Sequence, residues 1–136
     1  MSIGVVIVTH CGLGEQFLEA LRLIVPREQR FRAVSIAADQ PVEAARASIR
    51  AAIEAVETGA GVLILTDMFG GTPSNLALSF LSEGKLEVVT GVNLPMVIKL
   101  ATLQEEKALP DLAGFIKEYG RRNISVASEL LPDEGG

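Results

Sequence analysis

Ile3-Gly4-Val5-Val6-Ile7-Val8-Thr9-His10 and Val62-Leu63-Ile64-Leu65-Thr66-Asp67 are the two stretches that decide the fold. Each is an aliphatic run that stops on a polar residue and then enters a glycine turn. Cys11-Gly12-Leu13-Gly14 follows the first, and Met68-Phe69-Gly70-Gly71-Thr72-Pro73-Ser74-Asn75 follows the second. Such runs suit parallel strands covered on both faces by helices. Open sheets of that kind bind ligands outside the carboxyl ends of their strands. If the two strands are neighbours, an imidazole and a carboxylate meet at one sheet edge, beside a glycine-rich loop that opens a helix.

The rest of the chain alternates apolar runs with helix-period segments, the βαβα pattern of an α/β doubly wound sheet. Strands are predicted over about Ile3–Thr9, Phe31–Ala37, Val62–Thr66 and Leu86–Thr90. A first helix runs from about Leu13 or Gly14 to Leu23, with Phe17, Ala20, Leu21 and Ile24 on its apolar stripe and Pro26 helping to end it. A second begins near Asp39-Gln40-Pro41, where Asp39 fits as cap and proline suits the first turn. Its stripe is Val42, Ala45, Ile49, Ala52, Ile53 and Val56, and Gly59 closes it. A third takes Thr72 as cap and Pro73 in first position, and runs to about Ser82, before Gly84. Gly91-Val92-Asn93-Leu94-Pro95 leads into a helix through about Leu103, and Leu109-Pro110-Asp111 starts another with Leu112, Phe115, Ile116 and Tyr119 on its apolar side. Ile124–Ala127 is a candidate for a last short strand, and residues 132–136 read as a flexible tail. With no internal repeat or interdomain linker, residues 1–131 are expected to be a single domain.

At 136 residues the chain is long enough to bury a core without disulfides or metals. Its net charge of −5 argues against nucleic acid or an anionic membrane surface as partner, since both need clusters of Lys and Arg. The longest basic cluster is the pair Arg121-Arg122. A lone Cys11 forms no internal bridge, which fits a reducing compartment. With no basic leader and no run long enough to span a bilayer, a cytoplasmic location is expected.

His10 is the only histidine in the chain. By itself, a histidine at a strand end is more often a hydrogen-bonded structural residue than a catalyst. Its place before a glycine turn, matched by Asp67 at the end of a second run, reverses that balance. Imidazole is a usable nucleophile near neutral pH because one nitrogen is free while the other holds a proton. A carboxylate bonded to that N–H fixes the tautomer and stabilises positive charge on the ring. Asp67 alone reads equally well as a turn or capping residue. The loop Gly70-Gly71-Thr72-Pro73-Ser74-Asn75 adds an anion cradle: glycines admit close backbone approach, a helix start points free N–H groups outward, and the hydroxyls of Thr72 and Ser74 add donors. Alone it is an ordinary strand-to-helix turn. With His10 and Asp67 beside it, the natural chemistry is phosphoryl transfer to the histidine.

Several competing chemistries fail on specific residues. A response-regulator site needs an acidic pair where this chain has Thr9-His10. No Gly-Lys-Ser/Thr follows a strand, so there is no P-loop, and Gly12-Leu13-Gly14 lacks the third glycine of the dinucleotide fingerprint. Zinc would lean on His10, Cys11 and Asp67, but adjacent side chains of an extended strand face opposite ways. No metal and no cofactor is expected. Cys11 has no second histidine to serve as its base and reads as a bystander.

The three segments running Ile3 to His10, Thr66 to Asn75, and Thr90-Gly91-Val92-Asn93-Leu94-Pro95-Met96 resemble the IIA component of mannose/fructose/sorbose-type phosphotransferase systems, and the likeness covers essentially the whole chain. The resemblance implies that His10 is phosphorylated on Nε2 by the phosphocarrier HPr and passes the group to a IIB component. It places Asp67 beside that histidine and Thr72 near the phosphoryl group. It also implies strand order 2-1-3-4 with a fifth, antiparallel edge strand exchanged across a homodimer. Asn123-Ile124-Ser125-Val126-Ala127 has the alternation and shortness for that strand. Some members carry a fused IIB domain; its lack before Gly136 leads to the expectation of a separate IIB protein, with the membrane IIC and IID components engaged only indirectly. A phosphotransferase subunit of dihydroxyacetone kinase and a purely regulatory binding module are the alternatives. The sugar is not legible, because a IIA protein never needs to touch it.

Overall fold

The computed structural model describes residues 2–132. Four strands, β1 (Gly4–His10), β2 (Phe31–Ile36), β3 (Val62–Thr66) and β4 (Leu86–Thr90), form one parallel sheet in the order β2-β1-β3-β4. The helices are α1 (Leu13–Arg22), α2 (Val42–Val56), α3 (Thr72–Leu78), α4 (Leu94–Thr102), α5 (Leu109–Arg122) and the short α6 (Ala127–Leu130). Although β1 and β3 are continuous aliphatic runs up to Val8 and Leu65, their period of two still sorts side chains by face. Val5, Ile7, Leu63 and Leu65 pack with α1, α4 and α5, whereas Val6, Val8, Val62 and Ile64 pack with α2 and α3. Two core layers therefore sandwich the sheet, and β1 and β3 at its centre are the strands that carry His10 and Asp67.

Element boundaries differ from the sequence pattern where capping chemistry decides them. α1 buries Gly14, Leu18 and Leu21, a stripe four and three residues apart, and leaves Ile24 outside. α2 is capped by Pro41 in extended conformation, not by Asp39, whose side chain makes no cap bond. α3 has Gly71 as cap, with Thr72 and Pro73 in its first turn, so Thr72 does not cap the helix. α3 also ends at Leu78, earlier than the apolar pattern indicates. The Ser79 hydroxyl donates to the carbonyl of Leu76 at 2.6 Å, and the next residues turn by bonds three apart, such as Phe80 N–H to Ala77 O. Asn93 caps α4 as a side chain: its Oδ1 accepts the Met96 N–H while its Nδ2 donates to Gly120 O, tying α4 to the end of α5.

The C-terminal segment departs most from expectation. Residues 124–126 make no ladder, Ala127 opens α6, and no fifth strand is present among the described residues. An edge strand of this length forms only by pairing with another strand's backbone, and β4 of the same chain is not paired with it. Ile124 and Val126 remain 74% and 60% exposed. Of the tail expected from residue 132, only Pro132 lies within the described residues.

Candidate functional site

The parallel register sets Val8 against Thr66, so His10 at the end of β1 and Asp67 just past β3 emerge at the same edge. The sheet order makes them neighbours, as the family likeness implies. A single oxygen, Asp67 Oδ2, accepts two bonds from His10: the ring Nδ1–H at 2.8 Å and the backbone N–H at 3.0 Å. The other oxygen, Oδ1, accepts the N–H of Met68 at 3.1 Å. Burial pulls the Asp67 carboxyl upward, but the hydrogen bonds from His10 outweigh it and hold the group below its ordinary 3.8. The carboxylate is thus ionised near neutral pH and acts only as an acceptor, so Nδ1 carries a proton and, in the neutral ring, the lone pair falls to Nε2. The Asp67 side chain is 13% exposed and that of His10 45%. The carboxylate is sheltered while the nucleophilic edge of the ring is open.

The glycine loop faces that open edge. Gly70 and Gly71 both have positive φ, at 83° and 89°. A Cβ added at Gly71 would sit 3.1 Å from His10 Cε1 and 3.2 Å from Nε2, whereas one at Gly70 would meet nothing within 4 Å. Gly71 is the residue whose missing side chain leaves room at Nε2. Thr72 is exposed at the start of α3, with its hydroxyl not used for capping. Ser74 is fully buried, and its hydroxyl has no partner. The two hydroxyls, equivalent in sequence, are therefore divided by the structure: one faces solvent and one is closed away.

Two features escape the sequence pattern. Thr9 and Thr66 are fully buried, and each hydroxyl donates to the carbonyl two residues on, Thr9 to Cys11 at 3.2 Å and Thr66 to Met68 at 3.4 Å. The recurrence of Thr immediately before His10, Asp67 and Gly91 is the signal that could have found them. Met68 and Phe69 are 53% and 73% exposed, so the loop between Asp67 and the glycines offers an apolar rim beside the nucleophile. The segment after β4 is scaffolding: the carbonyl of Thr66 accepts N–H groups from both Gly91 and Val92, at 2.9 and 3.0 Å.

The imidazole lies at a solvent-facing edge of the sheet. A hollow of about 250 Å³ lined by Arg30, Leu100 and Lys107 and another of about 400 Å³ along β4 do not include His10. Among the described residues no group of three or more His, Cys, Asp or Glu is placed to hold a metal. None of their helices is long and apolar enough to cross a membrane.

A family model described as the PTS system fructose IIA component matches residues 4–117. The chain is 31% identical over 130 residues to the fructose-specific EIIA component of Bacillus subtilis, covering 95% of this chain and 89% of that one. It is 27% identical over 128 residues to the mannose-specific EIIAB component of Escherichia coli, covering 93% of this chain but only 40% of that longer protein. The structure is similar to the mannose/sorbose-specific IIA subunit from Enterococcus faecalis, with a TM-score of 0.84 at 26% identity over 98% of both chains.

Proposed function

The chain belongs to the PTS fructose IIA component family, and from that membership we propose that it is a phosphocarrier whose His10 accepts a phosphoryl group from phospho-HPr and hands it to a IIB component of a mannose-family sugar system. The observation that carries the reading is the 2.8 Å contact between Nδ1 and Asp67 on a half-exposed imidazole, which leaves Nε2 as the nitrogen available to attack in the neutral ring. In the forward step the Nε2 lone pair bonds to phosphorus as the bond to the donor imidazole breaks, and the donor ring keeps that electron pair. Nδ1 retains its proton throughout, so positive charge grows on the His10 ring while Asp67 faces it. Thr72 and the backbone around Gly70 and Gly71 are the groups proposed to hold the phosphoryl oxygens. Ser74 serves there only if α3 shifts to open its hydroxyl.

No metal is needed in this scheme, because the leaving group is already a phosphohistidine and Asp67 is the carboxylate bonded to the ring among the described residues. Phosphoryl exchange with HPr is expected to continue in excess EDTA once enzyme I has been removed, and its collapse on chelation contradicts the scheme. The protein is proposed to work in the cytoplasm as a homodimer in which the segment from Asn123 pairs with β4 of the other copy. The half-exposed β4 edge and the exposed Ile124 and Val126 support that pairing. Light scattering tests it: full-length protein runs as a dimer and a chain ending at Arg122 does not.

The decisive experiment is intact-mass measurement after incubation with phosphoenolpyruvate, enzyme I and HPr. Wild type gains one acid-labile, base-stable phosphate, and His10→Ala gains none. A full adduct on His10→Ala overturns the assignment.

A further inference from the structure

Thr9 directly precedes His10, and its buried hydroxyl does two things at once. It accepts the N–H of Gly14 at 2.9 Å and donates to the carbonyl of Cys11 at 3.2 Å. Gly12, the cap of α1, offers no side-chain bond, so the Thr9 hydroxyl reaches across the turn and takes the place of a capping side chain. Between these bonds Cys11 holds φ at 49°, a left-handed conformation that residues with a side chain rarely adopt. The Cys11 N–H is also fixed, on Ile36 O at 3.0 Å. His10 is therefore gripped on both sides, by the sheet before it and by a locked reversal after it. That grip matters because one oxygen of Asp67 accepts both the ring and the backbone N–H of His10. The two bonds coexist only while the His10 backbone and ring keep one placement.

We propose that Thr9 is a positioning residue for phosphoryl transfer, its hydroxyl locking the β1–α1 turn so that His10 presents Nε2 outward with Nδ1 on Asp67. The proposal rests on the phosphohistidine role of His10. Without the hydroxyl the buried Gly14 N–H loses its partner, and the turn opens to find another. The His10 N–H then moves off Asp67, and the imidazole gains freedom at the moment it must attack in line.

Thr9→Val keeps the shape and removes the hydroxyl, whereas Thr9→Ser keeps the hydroxyl and removes the methyl. For Thr9→Val, kcat for transfer from phospho-HPr is expected to fall on the order of 10–100-fold while KM for phospho-HPr barely changes. Thr9→Ser stays within about threefold of wild type. In parallel, the His10 Nδ1–H resonance, protected from exchange by Asp67, disappears in Thr9→Val and persists in Thr9→Ser. Wild-type kcat and an intact resonance in Thr9→Val overturn the proposal, as does a Thr9→Ser enzyme as slow as Thr9→Val. Should Thr9→Val not fold, Thr9→Cys against Thr9→Ser makes the same comparison at closer size, because sulfur bonds weakly. A wild-type protein that takes no phosphate sinks the phosphocarrier role alone, since the resonance still reports on positioning.

Discussion

The turns after β1 and β3 solve one problem by different chemistry. Both must end a buried strand, deliver a polar side chain to the sheet edge and start a helix within a few residues. The β1–α1 turn does it with a side chain, the Thr9 hydroxyl, and keeps a non-glycine residue, Cys11, at positive φ. The β3–α3 turn does it with backbone, through Gly70 and Gly71 at positive φ and no capping side chain. The difference follows from what faces each turn. The β1–α1 turn packs its helix start against the sheet, where a Cβ on Gly14 would already press on Ile7 O at 3.2 Å. The β3–α3 turn faces the imidazole, where a side chain at Gly71 would take the space above Nε2.

The largest test of that contrast removes the link between the turns. Asp67→Asn keeps the shape but removes the negative charge opposite the ring, and transfer is expected to slow on the order of 10²–10⁴-fold by analogy with other orienting carboxylates. Single-turnover rates within threefold of wild type would reduce Asp67 to a turn residue.

The two glycines separate next. Gly71→Ala forces a Cβ toward Cε1 and Nε2, and the displaced ring is expected to lose on the order of 10²-fold in transfer rate. Gly70→Ala has a similar φ but open space, so it costs about 1–2 kcal/mol of stability with little loss of rate. Equal kinetic losses in both variants would show that backbone strain, not room at Nε2, explains the need for glycine.

Acid sharpens the role of Asp67 in stability. Because its folded pKa lies below the ordinary 3.8, its stabilising contribution is complete above that value and is lost as pH falls through the lower, folded one. The gap in thermal midpoint between wild type and Asp67→Asn should stay level from neutral pH to the ordinary carboxyl value and close below it. A gap that widens on acidification contradicts the direction of the shift.

The smallest effect concerns Cys11. Cys11→Gly relieves a left-handed side-chain penalty and loses chain entropy of comparable size, so urea midpoints should move by no more than about 0.5 kcal/mol equivalent. A larger loss would reveal that the thiol, and not the backbone alone, supports the first turn.

His10, Asp67 and the glycine loop are legible in the sequence because each follows an unmistakable apolar run. Three things are not. Thr9 reads as the last residue of a strand, since a hydroxyl's bond to an N–H five residues on becomes visible only when the turn closes. Thr72 and Ser74 read alike, since two residues of separation place them on different sides of a helix whose packing the sequence does not state. The segment after Asn123 has strand alternation, but alternation supplies no backbone partner, and α6 begins inside it.

By itself the sequence determined the kinds of element through α5, the polar residue that each central strand delivers to its end, and the glycines that must follow. It did so because burial on both faces demands continuous aliphatic runs, and a chain leaving such a run must turn at once. Residue patterning alone left the neighbour of β1 open; the family likeness implied that β3 lies beside it, and the structure has that order. Only the tertiary structure decided that one oxygen of Asp67 holds His10 at two points and that Gly71 rather than Gly70 faces Nε2. Runs that are apolar on both faces look alike to any neighbour. Their order is settled by which helices cover which face, a choice made by the packing of the whole chain.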